Sequence, residues 1–206
     1  MRLYEDPKYK LEKLLVDFVG ESRNREQLLG DACQLTLDVN SAHRGLLLSE
    51  GDRKVTRVTE QQPYPDHPER FEHRAQVLGA QGLSGHAYWE VEWDGAKVHV
   101  GATYKDISRK GFADDSQLGC NDRSWVLRFS NSSYIAWHNN SSVPLPAPAR
   151  QPQSRGVPGL ARGGAVLLQR LLQRGHPPAH AQRPIHPAPL AGFRLWSDSL
   201  TLCQLQ

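Results

Sequence analysis

The chain has 206 residues, 38% of them hydrophobic, and carries 25 Lys+Arg against 22 Asp+Glu for a formal charge of +3, room for one domain of ordinary size plus a tail. Five of the arginines lie in 151–190, which holds no acid; the remaining 20 basic against 22 acidic residues weigh against a nucleic-acid partner. Cys33, Cys120 and Cys203 are too few and scattered for a disulfide framework or zinc cluster and read as reduced thiols, no run of ~18 apolar residues could span a membrane, and the N-terminus is too charged for a secretory signal.

Asp6-Pro7 is a helix start, with Asp as N-cap and Pro in the first turn. Leu11, Leu14, Leu15 and Phe18 follow at helical spacing, predicting an amphipathic helix over 7–19 within a helical linker, 1–32, from an upstream domain. From Cys33 the period changes to two. Trp89, Val91 and Trp93 alternate with Tyr88, Glu90 and Glu92; Val98 and Val100 repeat the pattern; Trp125, Leu127 and Phe129 form another row, and "SYIAWHN" adds a further aromatic strand. Breaks fall at 61–68, 94–95, 110–123 and 139–148. Short alternating strands between turn signals predict an all-β fold, an antiparallel β-sandwich with aromatic residues inside and polar residues outside.

These runs are familiar in order. "LTLDVNSAHRGLLLSEGDRKVTRV" (35–58) resembles a PRY element, and "PYPDHPERFEHRAQVLGAQGLSGHAYWEVEW" (63–93) the opening of SPRY. "VHVGATYKDISRKG" (98–111), "NDRSWVLRFSNSSYIAWHNN" (121–140) and the closing "PLAGFRLWSDSLTLC" continue the likeness. Together they resemble a PRY-SPRY domain over 33–203, most like the group at the C-termini of stonustoxin-like toxins, NLR-type receptors and tripartite-motif ubiquitin ligases. One departure is mild: the family's Leu-Asp-Pro stands here as Leu37-Asp38-Val39.

The other departure is large. Residues 151–190 contain no Asp, Glu, Lys, Phe, Tyr or Trp, but seven Pro, five Gly, five Arg and three His. The family's later strands should fall here and do not. The genetic code offers a reason. Ala165 to Leu171, written in permitted codons and shifted by one base, can read L-S-F-Y-S-V-S; Gln153 to Arg162 can read R-V-G-V-F-L-D-W-P-A; Ile185 to Leu190 can read F-T-Q-P-L-Y, running into Ala191-Gly192-Phe193. The same offset restores the family strands in order. The segment therefore reads as aberrant, frame-shifted sequence interrupting the domain, through either an error in the assembled gene or a real lesion that leaves a non-functional product.

Chemistry is sparse. His176, His180 and His186 lie in the aberrant segment without acidic or thiolate company, and Asp114-Asp115 lack an EF-hand spacing, so no metal is expected. His99 sits on the outer face of a strand and His138 at the end of another, neither with a nucleophile. "GAQGLSG" (79–85) lacks the Lys-Ser/Thr of a phosphate loop. No catalytic residue and no cofactor is expected. A sandwich holds its end loops rigid for recognition. The loops 60–74 and 104–123 supply Tyr64, Asp66, Arg70, Tyr104, Arg109, Lys110 and Phe112 as candidate ligand-binding residues, aromatic and arginine side chains being frequent interface anchors. Equally weighted is the reading that Tyr64, Pro65 and Phe71 simply cover the sandwich edge. The resemblance implies a protein or peptide ligand bound by these loops and a third near 139–150. It also implies a cytoplasmic immune-type parent, or a secreted one if the parent is a stonustoxin-like pore-forming toxin.

Sequencing the transcript tests the frame reading. We expect a one-base offset entering near 147–152 and leaving near 190–191; a clean reading of 151–190 from several clones excludes an error of assembly.

Overall fold

Period-two alternation from Cys33 onward becomes two antiparallel sheets in the computed structural model, which describes residues 29–83, 87–130, 133–145, 159–161, 188–196 and 199–205. The predicted helix at 7–19, the three histidines at 176, 180 and 186, and most of 151–190 lie outside these residues.

The described strands are β1 (Leu46–Ser49), β2 (Lys54–Arg57), β3 (Gln76–Gly82), β4 (Val91–Asp94), β5 (Lys97–Thr103), β6 (Ser124–Ser130), β7 (Ser133–His138), β8 (Ser141–Leu145), β9 (Gly159–Ala161), β10 (Leu190–Leu195) and β11 (Ser199–Leu202). One sheet has the order β1-β2-β11-β4-β9, the other β3-β10-β5-β6-β7-β8. The inward rows meet in a single core. Trp89, Val91, Val98, Val100, Trp125, Leu127, Phe129, Phe193 and Leu200 are all at most 5% exposed, with Trp93 partly buried against them. Trp93 stacks on Phe129 at 4.9 Å, and Tyr134 meets Phe129 edge-on at 4.9 Å, both favourable aromatic geometries. The predicted β-sandwich and its aromatic interior are thus present.

Three details depart from the alternation. Tyr88 and Glu90, expected on the solvent side, are 0% and 4% exposed. The Tyr88 hydroxyl donates to Glu90 Oε1 at 2.5 Å, and the chain on either side closes over them through Cys33 N–H to Tyr88 O (2.8 Å) and Cys203 N–H to Glu90 O (3.0 Å). The break expected at 139–148 is shorter than predicted: Asn139 and Asn140, at φ 48° and 59°, make a tight hairpin turn, and β8 follows at once. Asparagine tolerates that left-handed conformation, and Pro144 is accommodated because β8 is an edge strand. Third, part of the aberrant segment enters a sheet. Gly159–Ala161 pairs antiparallel with Val91–Trp93, a contact that main-chain groups make whatever the side chains.

Loops close the outer side of the six-stranded sheet. Phe71, Leu78, Ile107, Leu118 and Val126 form a second apolar cluster there. Buried Gln76 fastens it: its Nε2 donates to Ser116 O at 2.9 Å, and its Oε1 accepts from Leu118 N–H at 3.0 Å. The 104–123 loop is thereby held down on the sheet.

Phe193 is fully buried on a strand with neighbours on both sides. Phe193→Ala should cost about 3–5 kcal/mol, read as a fall in the urea midpoint at unchanged slope. His99 is 4% exposed and lacks hydrogen-bond partners. Burial, then the neighbouring Arg194, Lys97 and Arg128, lower its pKa from 6.5 to about 2. The unfolded chain takes up this proton near pH 6.5 while the folded one does not, so stability present above pH 6.5 should fall as pH drops below it. The slope is about 1.4 kcal/mol per unit; equilibrium unfolding at pH 7 and pH 5 should show it, and His99→Gln should remove it.

Candidate recognition face at the sandwich end

The two loops singled out from sequence meet. Glu72 N–H donates to Arg109 O (3.0 Å), Arg109 Nε donates to Glu69 O (2.9 Å), and Lys105 pairs with Glu69 at 2.9 Å. That pairing holds the Glu69 carboxyl below its ordinary pKa. Further along, Arg74 Nη2 donates to Phe112 O at 2.7 Å, and the His73 and Phe112 rings stack at 3.6 Å.

The seven candidate residues divide by what their side chains touch. Tyr64 is half-buried: its hydroxyl donates to Leu46 O (3.0 Å) and accepts from Leu48 N–H (3.1 Å), fixing the loop to β1. Arg70 is 4% exposed and donates to four backbone contacts, Nη1 to Val39 O and Ala42 O, Nε and Nη2 to Pro65 O, with the Tyr64 ring 5.0 Å from its Cζ. Arg109 is 8% exposed and is bound by Glu69 O, Ile107 O and Lys105 O, over the face of Phe71. Desolvation lowers the pKa of both guanidiniums. Such clamps hold loops; they offer little to a ligand. Tyr104 lies half-buried with its ring edge-on to Trp125 at 6.0 Å, and burial raises its pKa.

Asp66, Lys110 and Phe112 face outward. Asp66 is fully exposed and pairs with Arg44 at 2.6 Å; Phe112 is 70% exposed. A cavity of about 410 Å³ opens beside Asp66 and Lys110, lined also by His43, Arg44, His67 and Arg70 among others. Through His43 and Gln61 it adjoins a second hollow of about 490 Å³ that reaches Arg57 and Trp196. The sequence reading missed His43, Arg44, Gln61 and Trp196. The first two stand in the PRY run ahead of β1, and nothing in their spacing places them beside the 60–74 loop.

Other groups prove structural. Asp114 and Asp115 open a 3-10 turn, Asp114–Ser116, and Asn121 Nδ2 donates to Asp114 O, Asp115 O and the following Gln117 O at 2.8 to 3.2 Å. Among the described residues no helix is long and apolar enough to cross a membrane.

Residues 35–83 match the PRY family, the SPRY-associated domain. The chain is 43% identical over 127 residues to tripartite motif-containing protein 16 of Mus musculus, covering 61% of this chain and 23% of that protein. It is 44% identical over 126 residues to stonustoxin subunit beta of Synanceia horrida, covering 61% of this chain and 18% of the toxin subunit. The chain thus spans about a fifth of these relatives. The crystal structure of the TRIM65 PSpry domain superposes with a TM-score of 0.64 at 25% identity, over 89% of this chain and 99% of that domain. A PRY match over 35–83, relatives aligned over more than twice that length and the superposition on a PSpry domain together identify this chain as bearing a PRY-SPRY domain.

Proposed function

We propose that this domain is a non-enzymatic recognition module that binds a protein or peptide ligand through the loops 60–74 and 104–123. The observation that carries the reading is Phe112, a large apolar side chain left 70% exposed two residues from Lys110, which lines the loop cavity. It is stacked on His73, and its backbone is held by Arg74. A preorganised aromatic beside a charged hollow suits a ligand that buries an apolar side chain there and meets Lys110 and the Arg44–Asp66 pair at the rim. Arg70 and Arg109 set the loops in place, so little ordering remains to oppose binding.

The reading concerns the domain. Stonustoxin subunit beta and a tripartite-motif protein match at nearly the same identity, so a toxin parent and a ligase parent stand as equal settings for the same face.

Panning a displayed peptide library on the full chain tests it. Selected peptides should lose at least ~tenfold in affinity with Phe112→Ala or Lys110→Ala, at an unchanged melting temperature, since truncating an interface anchor typically has that effect. Arg70→Met should instead destabilise the fold by about 2 kcal/mol or more by leaving buried carbonyls unpaired. Failure to enrich any peptide, or equal binding to Phe112→Ala, would refute the loop site.

A further inference from the structure

The outer face of the six-stranded sheet carries a row of cations. Val98 and Val100 point into the core, so Lys97 and His99 lie on the opposite side of β5. The register sets Arg194 of β10 against His99 on one flank and Arg128 of β6 against it on the other. Cross-strand neighbours on one face stand ~5 Å apart, giving a line across three strands. Trp196, two residues past Arg194, lies over this line: Lys97 Nζ is 3.9 Å and Arg194 Cζ 4.1 Å from its ring, and His99 sits 4.3 Å beneath.

No acid answers this charge among the described residues. The ion pairs are Arg44–Asp66, Lys54–Glu50, His73–Glu72, Lys105–Glu69 and those of Arg123. None includes Lys97, Arg128 or Arg194. Arg194 Nη1, Arg128 Nε, neighbouring Arg74 Nε and both nitrogens of buried His99 have no hydrogen-bond partner. Adjacent like charges on one face and unpaired guanidinium donors both raise the energy of the free fold. Carboxylates supplied from outside would offset the like charges, because the side chains of Lys97, Arg128 and Arg194 are only partly buried.

We propose that this sheet face binds an acidic peptide segment, its carboxylates pairing with Lys97, Arg128 and Arg194 beside the ring of Trp196. The layout favours a chain over a compact anion. The backbone positions that carry the cations span ~10 Å across three strands spaced ~4.8 Å apart, with Lys97 and Arg194 meeting at the Trp196 ring and Arg128 set off on the next strand. An extended peptide presents every second side chain to one face at ~6.8 Å intervals, which suits such a line. Guanidinium forks match carboxylates in geometry. Trp196 also borders the hollow that adjoins the loop cavity, so the Phe112→Ala and Lys97→Gln variants are what separate the two readings.

The test uses fluorescence anisotropy with the full chain and a fluorescein-labelled peptide of alternating Glu and Gly. Saturable binding is expected. A Gln-Gly peptide of equal length should show none, and 0.5 M salt should weaken the Glu-Gly peptide strongly, because exposed charges are screened within ~4–5 Å there. Lys97→Gln with Arg194→Gln should lose at least ~tenfold; Phe112→Ala should change nothing. Arg194 is partly buried, so Lys97→Gln alone, with rescue by Lys97→Arg, keeps the comparison decisive if the double variant melts early. Equal binding by the Gln-Gly peptide, no binding, or unchanged binding in Lys97→Gln overturns the proposal. So does displacement of the peptide by micromolar inorganic pyrophosphate, which would assign a compact-anion site. Loss in Phe112→Ala with Lys97→Gln unaffected would move the peptide to the loops and leave the loop reading standing.

Discussion

Both sheets depend on the last fifteen residues or so of the described chain. β10 lies between β3 and β5 in one sheet, and β11 between β2 and β4 in the other. Without β10, β3 has no neighbour in the six-stranded sheet; without β11, the β1-β2 hairpin is cut from β4. Fully buried Phe193 and Leu200 sit on these strands, so the apolar contacts that stabilise the core wait on their arrival. The closure is long-range: β8 ends at Leu145 and β10 begins at Leu190. Long loops add only slowly to the entropy of closure, which lets a sandwich form around an interposed stretch of unlike sequence, provided the chain resumes its pattern near 190.

That constraint gives physical content to the aberrant segment. Its end must deliver the correct register, because a slip of one residue would turn Phe193 and Leu195 to the outer face. Ala191-Gly192-Phe193 is where the family likeness resumes, and there the chain becomes a central strand. Gly192 fits because an added Cβ would lie 3.1 Å from Leu118 Cδ2, the leucine that anchors the 104–123 loop. Core, returning strand and loop are thus packed as one unit.

The sandwich end and the outer sheet face use the same residue type in opposite ways. Arg70 and Arg109 have each guanidinium nitrogen donating to a carbonyl and act as rivets for the loops. Arg128 and Arg194 retain unanswered donors beside Lys97 and a neutral His99. A guanidinium whose fork is filled by backbone stabilises the fold, whereas one left unpaired beside like charges raises its energy.

The sequence by itself determined the strands over 89–138 and the sandwich, because alternating Trp, Phe and Val can bury one face only as half-buried sheet; the family came from the likeness of whole runs such as 35–58 and 63–93. It also located the two loops that meet. It placed Tyr64, Arg70 and Arg109 beside Phe112 as equal candidates, since a list of residue types does not show which donors the backbone has already taken. Only the tertiary structure decided that: the carbonyls of Val39 and Ala42 reach Arg70 across about 30 positions of chain. It decided as well that Tyr88 and Glu90 are covered, that Pro144 fits an edge strand, and that Arg128 and Arg194 flank His99. Each of these rests on strand order and register, which join residues far apart in the chain and leave no local periodicity to read.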